Sequence, residues 1–166
     1  MDNFTFVVGL LAIIACILPF YLIYRNNKNH DKALLNSLNH LALEYNLKIT
    51  EYDIWHDNII AFDQEQRVLL FHRATYSTSN NYIIRLSEIK QCKKIEKTFV
   101  VKEGSVVTKV PTHIGIEVSY KNTLATSLYL SFFEEEEGKY LNGEGPLMYK
   151  WHQKINRHLP QVKIAA

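Results

Sequence analysis

The chain has little of what usually reveals a protein's chemistry from its sequence. It has two cysteines, Cys16 in a long apolar run and Cys92 far downstream. An internal disulfide is therefore not expected, which suits a reducing cytoplasm. The formal net charge is only +2, too little to argue for nucleic acid, whose binding needs a clustered basic face. No repeat and no low-complexity tract stands out.

Metal and catalytic motifs are also missing. The seven histidines include no H-x-x-x-H or H-E-x-x-H pair, and there is no C-x-x-C, so no metal site is predicted. Nothing matches G-x-S-x-G, a Walker loop or G-x-G-x-x-G. The sequence therefore predicts no catalytic residue and no cofactor. Because distant residues can assemble a site on folding, an enzyme of unrecognised type stays open as an alternative.

A long apolar run, Phe4 to Tyr24, begins the chain. Its twenty-one residues carry no charged side chain, and as a helix they span roughly 30 Å, the thickness of a bilayer's hydrocarbon core. A cleaved signal peptide would have a basic start and a small-residue cleavage site, which this run lacks. We therefore predict a membrane anchor that holds the chain in the lipid bilayer.

Positive charges follow the anchor and do not precede it. Arg25, Lys28 and Lys32 come just after the run, and such residues favour the cytoplasmic side. The expected location is the inner (cytoplasmic) membrane, with a single pass, the amino terminus outside and the domain in the cytoplasm.

The rest of the chain divides by pattern into a linker helix, a domain and a tail. We expect an anchor at 1–25, a juxtamembrane amphipathic helix within 26–50, a domain at 51–160 and a tail at 161–166. The linker helix has Asp31 as its N-cap and an apolar stripe at Leu34, Leu38, Leu41 and Tyr45. It could pack on the domain, lie on the membrane or pair with a second copy, and the first is favoured.

Short apolar segments at β spacing fill most of the domain. Residues 59–63 and 67–73 flank a polar turn and predict a hairpin, after an irregular or extended lead-in. Residues 74–81 are loop-like, 82–86 and 89–97 follow as extended segments, and 98–101 and 106–110 look like two arms. Residues 112–120 and 124–133 alternate apolar with polar, and a helix with its apolar stripe at Leu147, Met148, Trp151, Ile155 and Leu159 closes the chain.

This order resembles the pleckstrin-homology-like (PH-like) domains of small bacterial membrane-anchored proteins. The resemblance rests on residues 59–71, 82–96, the strands to Phe133 and the Trp151 helix. It implies an α+β fold in which a PH-like antiparallel β-barrel of about seven strands is closed by a C-terminal helix, after the transmembrane helix and the amphipathic linker helix. Phosphoinositide-binding members have basic residues around the first hairpin. Here that turn holds Asp63 to Gln66 and then Arg67, which argues against headgroup binding there.

One charged stretch is a candidate for contact with a membrane or a partner. Basic residues outnumber acidic ones between Arg85 and Lys109, and anionic lipid attracts such a face. The simpler interpretation is a solvated strand face that is kept charged against edge pairing. The acidic run Glu134 to Glu137 is most simply a hydrated turn. The candidate basic patch consists of Arg85, Lys90, Lys93, Lys94 and Lys97.

The sequence thus predicts a membrane protein that presents a cytoplasmic binding module without catalysis. Its expected partner is a protein, a peptide added to a sheet edge, or the anionic membrane surface, and nucleic acid is not expected. The alternatives are the unrecognised enzyme and an accessory subunit of a larger membrane complex. A deep polar pocket would favour the enzyme, whereas an exposed edge with an apolar patch would favour the binding module.

Overall fold

A computed structural model describes residues 3–74, 79–103, 106–122, 124, 126–135 and 141–160. The chain forms two compact units, Met1–Tyr45 and Asn46–Ala166.

The first unit is a single helix, α1 (Asn3–Glu44), of 42 residues. The helix predicted from Asp31 is present as the second part of α1, but Asp31 lies inside α1 and is therefore not its N-cap. The polar residues between Arg25 and Asp31 include neither glycine nor proline, so a helix already formed on one side propagates through them. Among the residues searched, no helix has the length and hydropathy that crossing a membrane requires. The anchor at Phe4 to Tyr24 stays a prediction.

The second unit is α+β, with antiparallel strands in two sheets. In the described part of this unit, β1 (Glu51–Trp55), β2 (Asn58–Asp63), β3 (Val68–Ala74) and β4 (Ser79–Arg85) form the first sheet in that order. A 3₁₀ turn (Leu86–Glu88) leads to the second sheet of β5 (Ile89–Glu103), β6 (Val106–Tyr120) and β7 (Leu128–Glu134). The sheets pack against α2 (Glu144–His158). The coarse prediction of seven antiparallel strands and a closing helix is confirmed.

Several predicted strand boundaries differ from those observed. The predicted hairpin at 59–73 is confirmed as β2 and β3, but the lead-in before it holds a regular strand, β1, paired with β2 along its whole length. The loop expected at 74–81 is shorter, since Ala74 ends β3 and Ser79 begins β4; its residues 75–78 lie outside the described residues. The arms expected at 98–101 and 106–110 are the ends of the long strands β5 and β6.

Pro111 lies inside β6, the central strand of the second sheet. It faces Thr98, next to a register shift between Lys97 and Thr98. Strand β7 pairs with β6 only as far as His113, so β6 has one neighbour at Pro111. A proline lacks a backbone donor and is tolerated at bulges and edges. The end of β7 and the bulge therefore explain how a proline fits into this strand.

The core lies between the sheets and α2. Trp151, Met148 and Ile155 of α2 are buried in it, as the helical stripe predicts. Trp55 of β1 stacks on Phe132 of β7 with ring centroids 4.8 Å apart, and its indole nitrogen donates to the Phe132 carbonyl at 2.9 Å. This pair joins the first sheet to the second.

The start of α2 depends on one glycine. Gly143 immediately precedes the helix with φ of 93°, a left-handed conformation that favours glycine over other residues. Pro146 lies in the first turn of α2, and the helix ends at His158, before Pro160. A proline in the first turn and another just beyond the last turn are typical of the two ends of a helix.

Candidate functional site

The structure does not bring the predicted basic residues onto one face. Lys93 and Lys97 face Glu117 and His113 of β6; the two lysines are four residues apart and lie on the same side of the sheet. Lys94 faces Ile116, which is fully buried on the opposite side. Successive side chains of a strand point to opposite faces, so β5 divides these lysines between both faces.

The other predicted basic residues are also separated. Lys94 lies over the ring of Tyr149 of α2, at 4.0 Å from its centroid. Arg85 ends β4, in the other sheet, with its guanidinium 3.8 Å from the Glu88 carboxylate. Lys90 lies where the register shifts between Ile89 and Gln91. The clustering seen in the sequence therefore becomes a basic rim around β5 rather than a single patch.

A two-stranded arm extends from the second sheet. Strands β5 and β6 pair as far as Glu103 and Val106, whereas β7 accompanies β6 only between His113 and Val118. We call residues 98–103 and 106–111 the β5–β6 arm. Six residues per strand extend about 20 Å at 3.3 Å each, so the arm is a long projection for a domain of this size.

Exposed apolar side chains cover much of the arm. Phe99 faces Val110, and Val101 faces Thr108, so these four residues share one face, the apolar face. Phe99 is 64% exposed, and Val101 and Val110 are each 37% exposed. This accessible apolar surface contrasts with β2 and β3, whose apolar side chains are buried.

The opposite face of the arm mixes valine with lysine. Val100 faces Lys109 and Lys102 faces Val107, so each apolar side chain stands directly across from a cation. Val107 is 59% exposed and Val100 is 43% exposed. We call this the mixed face. The arm is thus amphipathic across its thickness, with an apolar face and a mixed basic face.

Sequence reasoning treated the arm as ordinary strands and missed its exposure. The available signal was the absence of alternation, since Phe99, Val100 and Val101 are consecutive, as are Val106 and Val107. A strand with one buried and one wet face alternates with a period of two. Consecutive apolar residues bounded by lysines therefore indicated a ribbon with apolar groups on both faces.

Several charged side chains of the domain fasten α2 to β1. Lys150 lies 2.6 Å from an Asp53 carboxylate oxygen, and the same oxygen accepts the indole N–H of Trp151 at 2.8 Å. Lys154 forms a hydrogen bond with Glu51, which lowers the pKa of that carboxyl group below its usual 4.5. These contacts stabilise the closing helix on the first sheet, which is a structural role.

A histidine and a buried glutamate form the most acid–base-like pair. Nε2 of His56, in the turn after β1, lies 2.6 Å from Oε1 of Glu144 at the start of α2. Glu144 is 1% exposed, and its other oxygen accepts the backbone N–H of Asn142 at 2.5 Å. A carboxylate at a helix N-terminus is favoured by the helix dipole. The pair fastens the β1–β2 turn to α2 and has the chemistry of a general acid and base.

An ion pair joins the two sheets near the base of the arm. Arg73 of β3 donates to Glu134 of β7 at 2.6 Å. Burial, the largest single cause, acts to raise the pKa of Glu134, but the hydrogen bonds from Arg73 and Ser131 and the nearby Arg73 and His113 charges together hold that pKa below its usual value. Of the acidic run, Glu134 is thus engaged in the fold and Glu135 is exposed, while residues 136 and 137 lie outside the described residues.

A polar cleft of about 510 Å³ lies beside the 3₁₀ turn. Its lining includes the Lys121 ammonium, which donates to the Ser87 carbonyl at 2.5 Å. Burial, and then the nearby Glu88 carboxylate, raise the pKa of Tyr120. The volume lies within the range of small-molecule sites, and the lining residues are Ser87, Glu88, Tyr120, Lys121 and Asn122.

Two features of the described part of the domain bear on metal binding and thiol chemistry: the placement of possible metal ligands and the burial of Cys92. No group of three or more His, Cys, Asp or Glu side chains there is placed to hold a metal ion. Cys92 is buried, and burial raises the pKa of its thiol to about 12. A thiol with so high a pKa is a poor nucleophile at neutral pH because the thiolate is the reactive form.

Comparison with protein-family models, with curated proteins and with solved structures finds no match to this chain. The functional argument therefore depends on the geometry of the domain itself.

Proposed function

We propose that this protein is a single-pass membrane protein that presents a PH-like binding module in the cytoplasm, without catalysis of its own. The anchor is Phe4 to Tyr24, as its apolar length and the basic residues after it suggest. The division of seven strands into sheets of four and three with a closing helix supports the PH-like part of the proposal, because it is the arrangement that the resemblance implies.

The observation that carries the proposal is the exposed β5–β6 arm. Its apolar face is accessible over Phe99, Val101 and Val110, whereas the charged clusters around α2 are engaged in holding the fold together. An exposed apolar patch with a polar rim is typical of an interaction site. We therefore propose the arm as the surface with which the module binds its protein partner or the membrane.

A membrane-associated enzyme is the second candidate. The specific observation that favours it is the cleft of about 510 Å³ next to Tyr120 and Lys121. The His56–Glu144 pair belongs to another part of the domain, between the β1–β2 turn and α2, and does not line this cleft. The cleft thus supplies a binding volume, and the binding module remains the better supported function.

Topology is tested with a cysteine at an exposed position of the domain. Gln64 is exposed in the β2–β3 turn, so Q64C is introduced into a chain in which Cys16 is replaced by serine. We expect the thiol to resist a membrane-impermeant maleimide in intact cells and to react after permeabilisation. Ready labelling in intact cells would place the domain outside the cytoplasm and refute this part of the proposal.

The binding surface is tested by site-specific photocrosslinking in intact cells. A photoreactive phenylalanine analogue at Phe99, on the apolar face of the arm, should give lipid or protein adducts, because that side chain is 64% exposed. The same residue at Gln153, an exposed position of α2, is the matched control. Equal yields at both positions, or no adduct at either, would contradict the assignment of the arm.

A further inference from the structure

We propose that the β5–β6 arm docks on an anionic lipid bilayer, with its apolar face in the interfacial region and its lysines among the lipid phosphates. This inference rests on the proposed function and names the partner of the same surface. The proposed binding partner is the membrane, and the test below distinguishes it from a protein partner and from a second copy of the chain.

The distribution of apolar groups fits an interface between water and lipid. Phe99, Val101 and Val110 form one accessible face, whereas the exposed Val100 and Val107 share the other face with lysines. An amphipathic element lies in the bilayer surface with its more apolar face toward the lipid and its charged face toward water. An exposed phenylalanine gains more from such immersion than a small side chain because more apolar area leaves water. The apolar face thus supplies the lipid contact.

The charges around that face complement anionic headgroups. Between Thr98 and Pro111 the chain has two lysines and one glutamate, a net charge of +1, and the four lysines of β5 before the arm are divided between both faces of the sheet. Lys102 and Lys109 lie on the mixed face of the arm itself, and a lysine stem can extend over apolar surface while its ammonium reaches the phosphates. A neutral bilayer would lack the anionic lipid charge that attracts this arrangement.

The backbone of the arm limits how deeply it can enter. A two-stranded ribbon has an outer edge on each strand, where N–H and C=O groups lack a ladder partner. Such groups are not tolerated in hydrocarbon, where no water satisfies them. The arm is therefore expected to lie shallowly, where headgroups and water can satisfy both edges.

Charge argues against a second copy as the occupant. Two arms that met through their apolar faces would leave Lys102 and Lys109, on the mixed faces, without an opposite charge. An anionic bilayer covers the same apolar groups and also neutralises these lysines. The bilayer is therefore the occupant that satisfies both the apolar groups and the charge.

The test uses the full chain reconstituted into vesicles. An environment-sensitive fluorophore is attached at V101C, in a chain in which Cys16 is replaced by serine, while the buried Cys92 remains. Vesicles are either pure phosphatidylcholine or equal parts phosphatidylcholine and phosphatidylglycerol, with nitroxide groups at shallow or deep acyl positions. In the anionic vesicles we expect a blue shift and stronger quenching by the shallow nitroxide than by the deep one.

Two controls separate charge from general proximity to the membrane. A fluorophore at Q153C on α2 should remain unquenched in both kinds of vesicle. Replacing Lys102 and Lys109 by glutamine should shift the equilibrium between docked and undocked arm about thirtyfold toward undocked, since each lysine near an anionic surface contributes roughly a factor of five. Circular dichroism of each variant verifies that the sheets are intact.

The outcomes distinguish the inference from the proposed function. Equal quenching in neutral and anionic vesicles, or quenching that the lysine replacements leave unchanged, would overturn the anionic bilayer as the partner. No quenching together with a protein adduct at Phe99 in cells, including an adduct to a second copy, would overturn the inference and leave the binding module standing. No quenching together with no adduct would overturn both.

Discussion

Trp151 is the residue on which the closure of the domain most depends. Its side chain is fully buried, and its indole N–H donates to Asp53 at 2.8 Å. Trp151→Ala should lower the free energy of unfolding by about 3–5 kcal/mol, the usual effect of removing a buried tryptophan. That is a large part of the roughly 5–15 kcal/mol expected for a domain. Trp151→Phe keeps most of the apolar volume, so its free energy of unfolding should fall by only about 1.5–3 kcal/mol, the contribution of a hydrogen bond to a charged group.

Urea unfolding of the full chain in mild detergent measures these differences. Far-UV circular dichroism follows the sheets, and the midpoint should fall with little change in slope if two-state behaviour holds. Gln153→Ala, at an exposed position of the same helix, should remain within about 0.5 kcal/mol of the parent chain. If Trp151→Ala changes stability no more than this control, α2 does not seal the core and our account of the fold fails.

Three further predictions concern other parts of the domain. Cys92 should react with a thiol reagent at pH 8 roughly a thousandfold more slowly in the native chain than in denaturant. Burial raises its pKa from 9.0 to about 12, and each pKa unit lowers the thiolate fraction about tenfold. Peptide mapping that shows equal rates in both states would contradict this. The Lys154 hydrogen bond lowers the pKa of Glu51, so the stability that this bond contributes is present above about pH 4.5 and is lost as the pH falls further. Glu51→Gln should therefore have a smaller free energy of unfolding than the parent chain at pH 7, and the difference should shrink in acid. A difference that does not change with pH would refute the linkage. Gly115→Ala should lower the melting temperature, because an added Cβ would lie 2.5 Å from the Tyr129 ring, and an unchanged melting temperature would show that the strands yield easily.

The sequence indicated best those elements whose apolar pattern is local. The β2–β3 hairpin and the α2 stripe with Trp151 were predicted correctly, because a short turn and helical spacing express their burial within a few residues. Strand β1 has no such signal, since its burial depends on distant partners such as Phe132. The long β5–β6 pairing was missed because a proline such as Pro111 is not expected in a central strand. The structure tolerates it because β7 ends before Pro111, so β6 has only one neighbouring strand there.

The candidate site was predictable in composition but not in geometry. The sequence shows that lysines concentrate around β5, yet it cannot show which of them lies on the face covered by α2, where Lys94 contacts the Tyr149 ring. Face assignment depends on strand register, and register depends on bulges such as the one between Ile89 and Gln91. The exposure of Phe99 was likewise hidden, because it depends on where β7 ends.

The proline in β6 has a mechanical consequence. At Pro111 strand β6 pairs with β5 alone, and the register shift beside Lys97 interrupts that ladder. Hydrogen-bonded units that share few bonds open independently. The backbone amides of the arm are therefore expected to exchange their hydrogens with solvent faster than those of β2 and the Trp151 helix.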